Sequence, residues 1–203
     1  MIKKEIYPKT KRLGVDTKIQ VTEKLDGSNL VLFKKDGKLF IAQRNSIYEF
    51  GEIESNKMYK GLYEWLEEYK DDLLEKLLDD RAICCEWLGM GQIKYQDRFD
   101  DKLFIFAKAF VNDDYELENI RYYLDELKYA FVDEQLPNYI KEVPLVYFGE
   151  DTSWLSKERL DEYYETLLSV NKYKHEGFVI CYLGNIIKYV RMKNGKLADH
   201  FDR

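Results

Sequence analysis

Cysteine, proline and histidine are scarce in this chain, with three, three and two copies among 203 residues. Cys84, Cys85 and Cys181 have no spacing that suits zinc, and adjacent cysteines seldom pair with each other, so they are expected to be reduced and buried in an intracellular protein. No apolar run approaches the ~18 residues that cross a membrane. Met1 to Lys11 is basic and polar with no apolar stretch behind it, which excludes a secretory signal and points to the cytoplasm. Internal repeats, low-complexity segments and long linkers are also missing, so residues 1–203 are expected to form one domain with no separate C-terminal domain. A net charge of −6 argues against a simple basic nucleic-acid coat protein.

What is present suits a folded globular domain: 45% hydrophobic and 34% charged residues argue against disorder. Tyrosine, with 17 copies against 11 phenylalanines, fits half-exposed strands or base stacking. The charge is uneven. Acid gathers between Glu64 and Asp80, whereas Lys3, Lys4, Lys9, Lys11 and Arg12 at one end and Lys188, Arg191, Lys193 and Lys196 at the other are basic. If the ends meet, an acidic protein acquires a local positive groove.

Alternation over Thr17 to Thr22 predicts a strand, and Asp36-Gly37 predicts a hairpin between Leu30–Lys34 and Lys38–Arg44. That hairpin is expected to return Arg44 to the neighbourhood of Lys24. Met58–Leu78, Leu117–Phe131 and Ser156–Val170 carry apolar residues at steps of three and four, the mark of amphipathic helices. Arg81–Leu88, Leu103–Phe110 and Val143–Phe148 read as strands, the last with Pro144 at its start or on an edge. Glu176–Ile180 and Ile186–Met192 form a second hairpin, and Arg191 and Lys193, two residues apart, should share a face. His175 reads as a lone surface histidine. The fold class is therefore α+β, with hairpins and three helices.

The densest chemistry lies in Glu23-Lys24-Leu25-Asp26-Gly27-Ser28-Asn29, which fits a turn after a strand as well as it fits an active site. A lysine there becomes a nucleophile only if desolvation or a nearby cation lowers its pKa from about 10.4. Glycine beside it lets backbone approach a ligand. Glu86, where a buried strand meets Gly89 and Gly91, sits in a position typical of ligand contacts, and Phe106 either packs in the core or projects into a cleft.

Taken in order, these pieces resemble the covalent nucleotidyltransferases, the superfamily of ATP-dependent DNA and RNA ligases and capping enzymes. Lys24-Leu25-Asp26-Gly27 is similar to the nucleophile motif, Arg44 to the arginine that follows it, Glu86 to the acid of the third motif and Phe106 to the base-stacking aromatic. Glu176-Gly177-Phe178-Val179 resembles the fourth motif and Arg191-Met192-Lys193 the paired cations of the fifth. Asn29, Glu86 to Ile93 and Lys193 to Lys196 look like the RNA ligase 2 branch.

The resemblance implies an ATP-grasp-like nucleotidyltransferase domain of two antiparallel β-sheets with flanking helices and no OB-fold domain. It implies an ATP-dependent RNA ligase in which Lys24 takes AMP from ATP, passes it to a 5′-phosphate and seals that end to a 3′-hydroxyl. Arg191 and Lys193 would neutralise the α-phosphate, Asp26 and Glu176 would hold Mg²⁺ or Mn²⁺, and Glu86 and Phe106 would take ribose and adenine. Glu23 would join the nucleotide site, and Arg44 and Asn29 would serve phosphate and the nucleic-acid end. RNA, as nicked duplex or single-strand ends, is the implied partner, with a substrate-binding domain supplied by a separate partner. Alternatives are a DNA nick ligase, a stand-alone end adenylyltransferase and a non-catalytic RNA-binding module.

Overall fold

A computed structural model describes residues 17–52, 57–89, 91, 93, 95, 98–171, 175–193 and 196–197, with the backbone alone at 171, 192, 193, 196 and 197. The first strand, β1 (Ile19–Lys24), runs into β2 (Ser28–Lys35), β3 (Lys38–Gln43) and β4 (Ser46–Glu49). Helix α1 (Leu62–Lys76) precedes β5 (Arg81–Trp87), β6 (Leu103–Val111) and β7 (Leu117–Arg121). A 3-10 turn, Leu124–Ala130, leads to β8 (Lys141–Glu142) and β9 (Leu145–Gly149). Helix α2 (Lys157–Asn171) is followed by β10 (Gly177–Tyr182), β11 (Asn185–Val190), β12 (Met192–Lys193) and β13 (Lys196–Leu197).

The strands form two main sheets, as expected for the α+β class. One is four-stranded and antiparallel, in the order β11-β10-β1-β9; the other is seven-stranded, in the order β4-β3-β2-β5-β6-β7 with β8 added parallel to β6. β12 and β13 form a small hairpin of their own. The chain passes from the first sheet to the second within Leu25-Asp26-Gly27, so the lysine at the end of β1 sits where the sheets meet. Each sheet buries its far face. Leu30, Leu32, Ile83, Trp87 and Ile105 of the larger sheet pack with Leu62, Leu66 and Leu73 of α1, while Val21, Phe178, Ile180 and Tyr189 of the smaller pack with Leu160 and Tyr164 of α2. At roughly 1.5–3 kcal/mol for each fully buried side chain, these two cores fix the backs of the sheets and leave their inner faces to form a cleft.

Three expectations change. Helix α1 begins at Leu62 rather than Met58, because Gly61 takes a left-handed conformation, φ 77°, that a helix cannot continue. Leu117–Phe131 is not a helix. The Asn112 side-chain oxygen accepts from the Asp114 and Glu116 amides at 3.0 and 2.9 Å, closing a turn that lays Leu117–Arg121 against β6 as an edge strand. Leu124 and Leu127 remain buried, but in a 3-10 turn, whose three-residue period serves their spacing equally well. His175 is fully buried rather than on the surface, with its ring 4.2 Å from that of Tyr164. Burial lowers its pKa and favours the neutral imidazole.

Candidate active site

The inner face of the smaller sheet follows from the two-residue alternation of strands. Its rungs read Lys24–Gly177–Val190, Thr22–Val179–Lys188 and Gln20–Cys181–Ile186, each crossing β1, β10 and β11. Opposite this floor stand Asn29 of β2, Glu86 of β5 and Phe106 of β6. Between them lies a cavity of about 190 Å³, apolar toward Cys181 and Ile186 and charged toward Lys24.

At the charged end, Lys24 Nζ donates to Glu176 Oε2 at 2.5 Å, with both side chains partly exposed. Burial pushes the Glu176 carboxyl upward in pKa, and Lys24 opposes that shift. On the facing wall, Glu86 is 9% exposed: Oε1 accepts from the Gly27 amide at 2.9 Å and Oε2 from Asn29 Nδ2 at 2.6 Å. Asn29 and Glu86 are direct cross-strand neighbours in the β2–β5 register. Burial nevertheless pushes the Glu86 carboxyl up to about 7. Phe106 lines the cleft with Tyr122, their rings 6.5 Å apart and nearly parallel. Two flat side chains so placed suit an aromatic base.

The segment between β5 and β6 clamps the lysine from behind, and sequence reasoning missed most of it. Arg98 binds Glu23, the residue before Lys24, through both oxygens at 2.6 and 2.5 Å, and Glu23 is 5% exposed. The Asp26 amide donates to Tyr95 Oη at 2.9 Å, and Asp26 Oδ2 accepts from the Ile93 amide at 2.8 Å. Gly91 lies so close that a Cβ there would stand 1.7 Å from the Asp26 carbonyl oxygen. Such fixation on both sides of Lys24 limits where its ammonium can go. Glu23, expected in the nucleotide site, is among the residues lining the cleft, and its carboxylate is held by Arg98. The signal for this clamp was faint: a tyrosine and an arginine following the glycines after Glu86, with no periodicity to recommend them.

Two assignments are corrected. Arg44 is exposed in the turn between β3 and β4 and does not line the cleft, because β2 pairs β3 so that the turn returns toward Asn29, while Lys24 belongs to the other sheet. Arg191 also leaves the cleft: its guanidinium reaches Glu165 at 2.7 Å and Asp161 at 3.8 Å on α2. The backbone of Lys193 lies in β12, and its side chain is outside the described residues. Asp26 lies within electrostatic range of Glu176, although one of its oxygens holds Ile93. Two carboxylates near a cleft suit a hard divalent cation that keeps most of its water and takes its other oxygens from a ligand's phosphates. Among the described residues no group of three or more histidine, cysteine or acidic side chains forms a complete metal cage.

The family model described as RNA ligase matches residues 17–190. No curated protein sequence matches significantly. Among solved structures, a variant of the Naegleria gruberi RNA ligase with AMP and Mn aligns with a TM-score of 0.55 at 19% identity, covering 86% of this chain and 50% of that one. Another variant of that ligase, with ATP and Mn, aligns at 0.53 and 19% over the same shares. An archaeal ATP-dependent RNA ligase aligns at 0.51 and 16%, covering 86% of this chain and 42% of that one. At these identities the likeness is one of fold, and the chain spans about half the length of the ligases it matches or less.

Proposed function

The chain belongs to the RNA ligase family, and on that premise we propose that it is an ATP-dependent RNA ligase that works through an AMP group carried on Lys24. The observation that carries this reading is the Lys24–Glu176 pair, 2.5 Å long, at the charged end of a cleft whose other end is apolar and aromatic.

An amine attacks phosphorus only when neutral. Glu176 Oε2 already accepts from Lys24 Nζ, which makes it the nearest acceptor for the proton, and burial raises its pKa. Nζ then bonds to the α-phosphorus of ATP as the bond to the bridging oxygen breaks, and pyrophosphate leaves with the electron pair. The AMP passes next to a 5′-phosphate, and a 3′-hydroxyl displaces it to form the phosphodiester. Phe106 and Tyr122 face the adenine. Each Glu86 oxygen accepts one protein hydrogen bond and retains a lone pair for a ribose hydroxyl. Asn29, at the rim, serves the nucleic-acid end. Mg²⁺ or Mn²⁺ held by Asp26 and, once its proton has passed to solvent, by Glu176 would neutralise charge on the phosphates. Since each displacement needs alignment more than new chemistry, the clamp behind Lys24 contributes by holding the nucleophile in place.

The test is sealing. With ATP and Mg²⁺, nicked RNA or splinted RNA ends should be joined, and Lys24→Ala should abolish joining. Preference for a nicked DNA duplex would move the reading to a DNA ligase, and accumulation of adenylated ends without joining would move it to an end adenylyltransferase. RNA binding with neither product would leave an RNA-binding module.

A further inference from the structure

β11 is an edge strand, and its two faces carry different charges to different places. Ile186 and Lys188 lie opposite Cys181 and Val179 and line the cleft, whereas Tyr189 enters the core beneath α2. The Arg191 amide donates to the Glu176 carbonyl at 2.8 Å, which extends the β10–β11 ladder one residue beyond Val190. Arg191 thus shares the parity of Tyr189. Its guanidinium lies 5.5 Å from the centre of the Tyr164 ring, between the carboxylates of α2. The alternation that sends Arg191 to the helix sends Lys188 to the nucleotide side.

Lys188 is exposed and, among the described residues, forms no ion pair, so its charge is available. Its rung is the middle one, a two-residue step of about 7 Å along the strand from the rung that holds Lys24. Lys188 lines the cleft on the rung next to that of Lys24 and lies within electrostatic range of Glu176. Polyphosphate entering there meets Lys24 on one side of β10 and Lys188 on the other.

We propose that Lys188 is a substrate-contacting residue of this site, its ammonium binding the phosphates of the nucleotide in the role that the family resemblance implied for Arg191. This rests on the nucleotide-transfer reading above and adds a residue to it. A flexible lysine suits the task because its point charge can follow a phosphate that changes partners during displacement.

Calorimetric titration with ATP in a Lys24→Ala background, which cannot turn over, tests the assignment. Lys188→Ala should weaken ATP binding about tenfold, the size of one charge-assisted hydrogen bond, at an unchanged melting temperature. It should leave adenosine binding unaltered, and Lys188→Arg should retain most of the ATP affinity. Arg191→Ala should instead lower the melting temperature and keep ATP affinity within about twofold. Unchanged ATP affinity in Lys188→Ala, or equal losses for ATP and adenosine, would overturn the assignment. Adduct formation by the chain with Lys24 intact is read separately: tight ATP binding without an adduct would retire covalent transfer and leave the Lys188 result standing. Failure of ATP to bind at all would sink both.

Discussion

The two walls of the cleft differ in how their polar groups are satisfied. On the seven-stranded sheet, Glu86 is buried and already holds Gly27 and Asn29 through ladder neighbours, so its orientation is set before a ligand arrives. On the four-stranded sheet, Lys24 and Glu176 hold each other at the partly exposed end, and Lys188 projects into the cleft beside them. One wall is preorganised for recognition, with hydrogen bonds that persist. On the proposed reading the other exchanges partners, because Lys24 would have to leave Glu176 to reach phosphorus. A single chain can do both because Ile93, Tyr95 and Arg98 anchor the residues flanking Lys24, while the ammonium of Lys24 itself is held by Glu176.

The sharpest way to break this contrast is to release the clamp. Arg98→Ala removes the bidentate partner of a buried carboxylate, a change that costs about 3–5 kcal/mol and should lower the melting temperature by about 10 °C. A melting temperature within about 2 °C of the parent would mean that the charged wall is held in some other way. Gly91→Ala should come next: its Cβ meets the Asp26 carbonyl oxygen, part of the backbone, so the loop must move, at a cost of about 1–3 kcal/mol. Transfer of AMP to Lys24 should slow in that variant even at temperatures where it is folded, and an unchanged rate would separate the loop from catalysis.

The recognition wall predicts a pH dependence. Glu86 titrates near 7 in the fold and near 4.3 in the unfolded chain, so between these values the folded state binds more protons. Its contribution to stability therefore declines as pH rises through that window and levels off above it. Denaturation midpoints measured from pH 4 to 8 should carry this component, and Glu86→Gln should remove it; identical profiles for the two proteins would contradict the burial argument. Asn29→Ala has the smallest expected effect, about 1 kcal/mol for one hydrogen bond. Because Asn29 holds the Glu86 carboxyl down, its loss should also move the end of the decline to higher pH.

Much of the fold could be read from local pattern. Asp36-Gly37 marked the β2–β3 turn, and the apolar runs of β5 and β6 and the stripes of α1 and α2 lay where periodicity put them. Leu117 to Phe131 misled because apolar steps of three serve a 3-10 turn as well as an α-helix, and the deciding feature was the Asn112 turn just before. At the site, Lys24, Glu86 and Phe106 line one cleft, and Glu176 pairs with Lys24. Sequence pattern missed what depends on which sheet a strand joins. Arg44 was placed beside Lys24 because its hairpin begins just after that lysine; the β2–β3 register returns Arg44 toward Asn29, while Lys24 ends a strand of the other sheet. Arg191 was given the cleft although strand parity fixes only which residues share a face, and the packing of Tyr189 under α2 decides which face that is. The Glu23–Arg98 pair joins residues 75 positions apart and leaves no periodic trace.

The central claim is that Lys24 carries the AMP. Incubation with Mg²⁺ and each of the four nucleoside triphosphates, followed by peptide mapping by mass spectrometry, tests it directly. The account predicts one AMP group, acid-labile and formed from ATP, on the peptide that contains Lys24, and none in Lys24→Ala. Modification at another residue, or no adduct with any nucleotide or divalent metal, would contradict it.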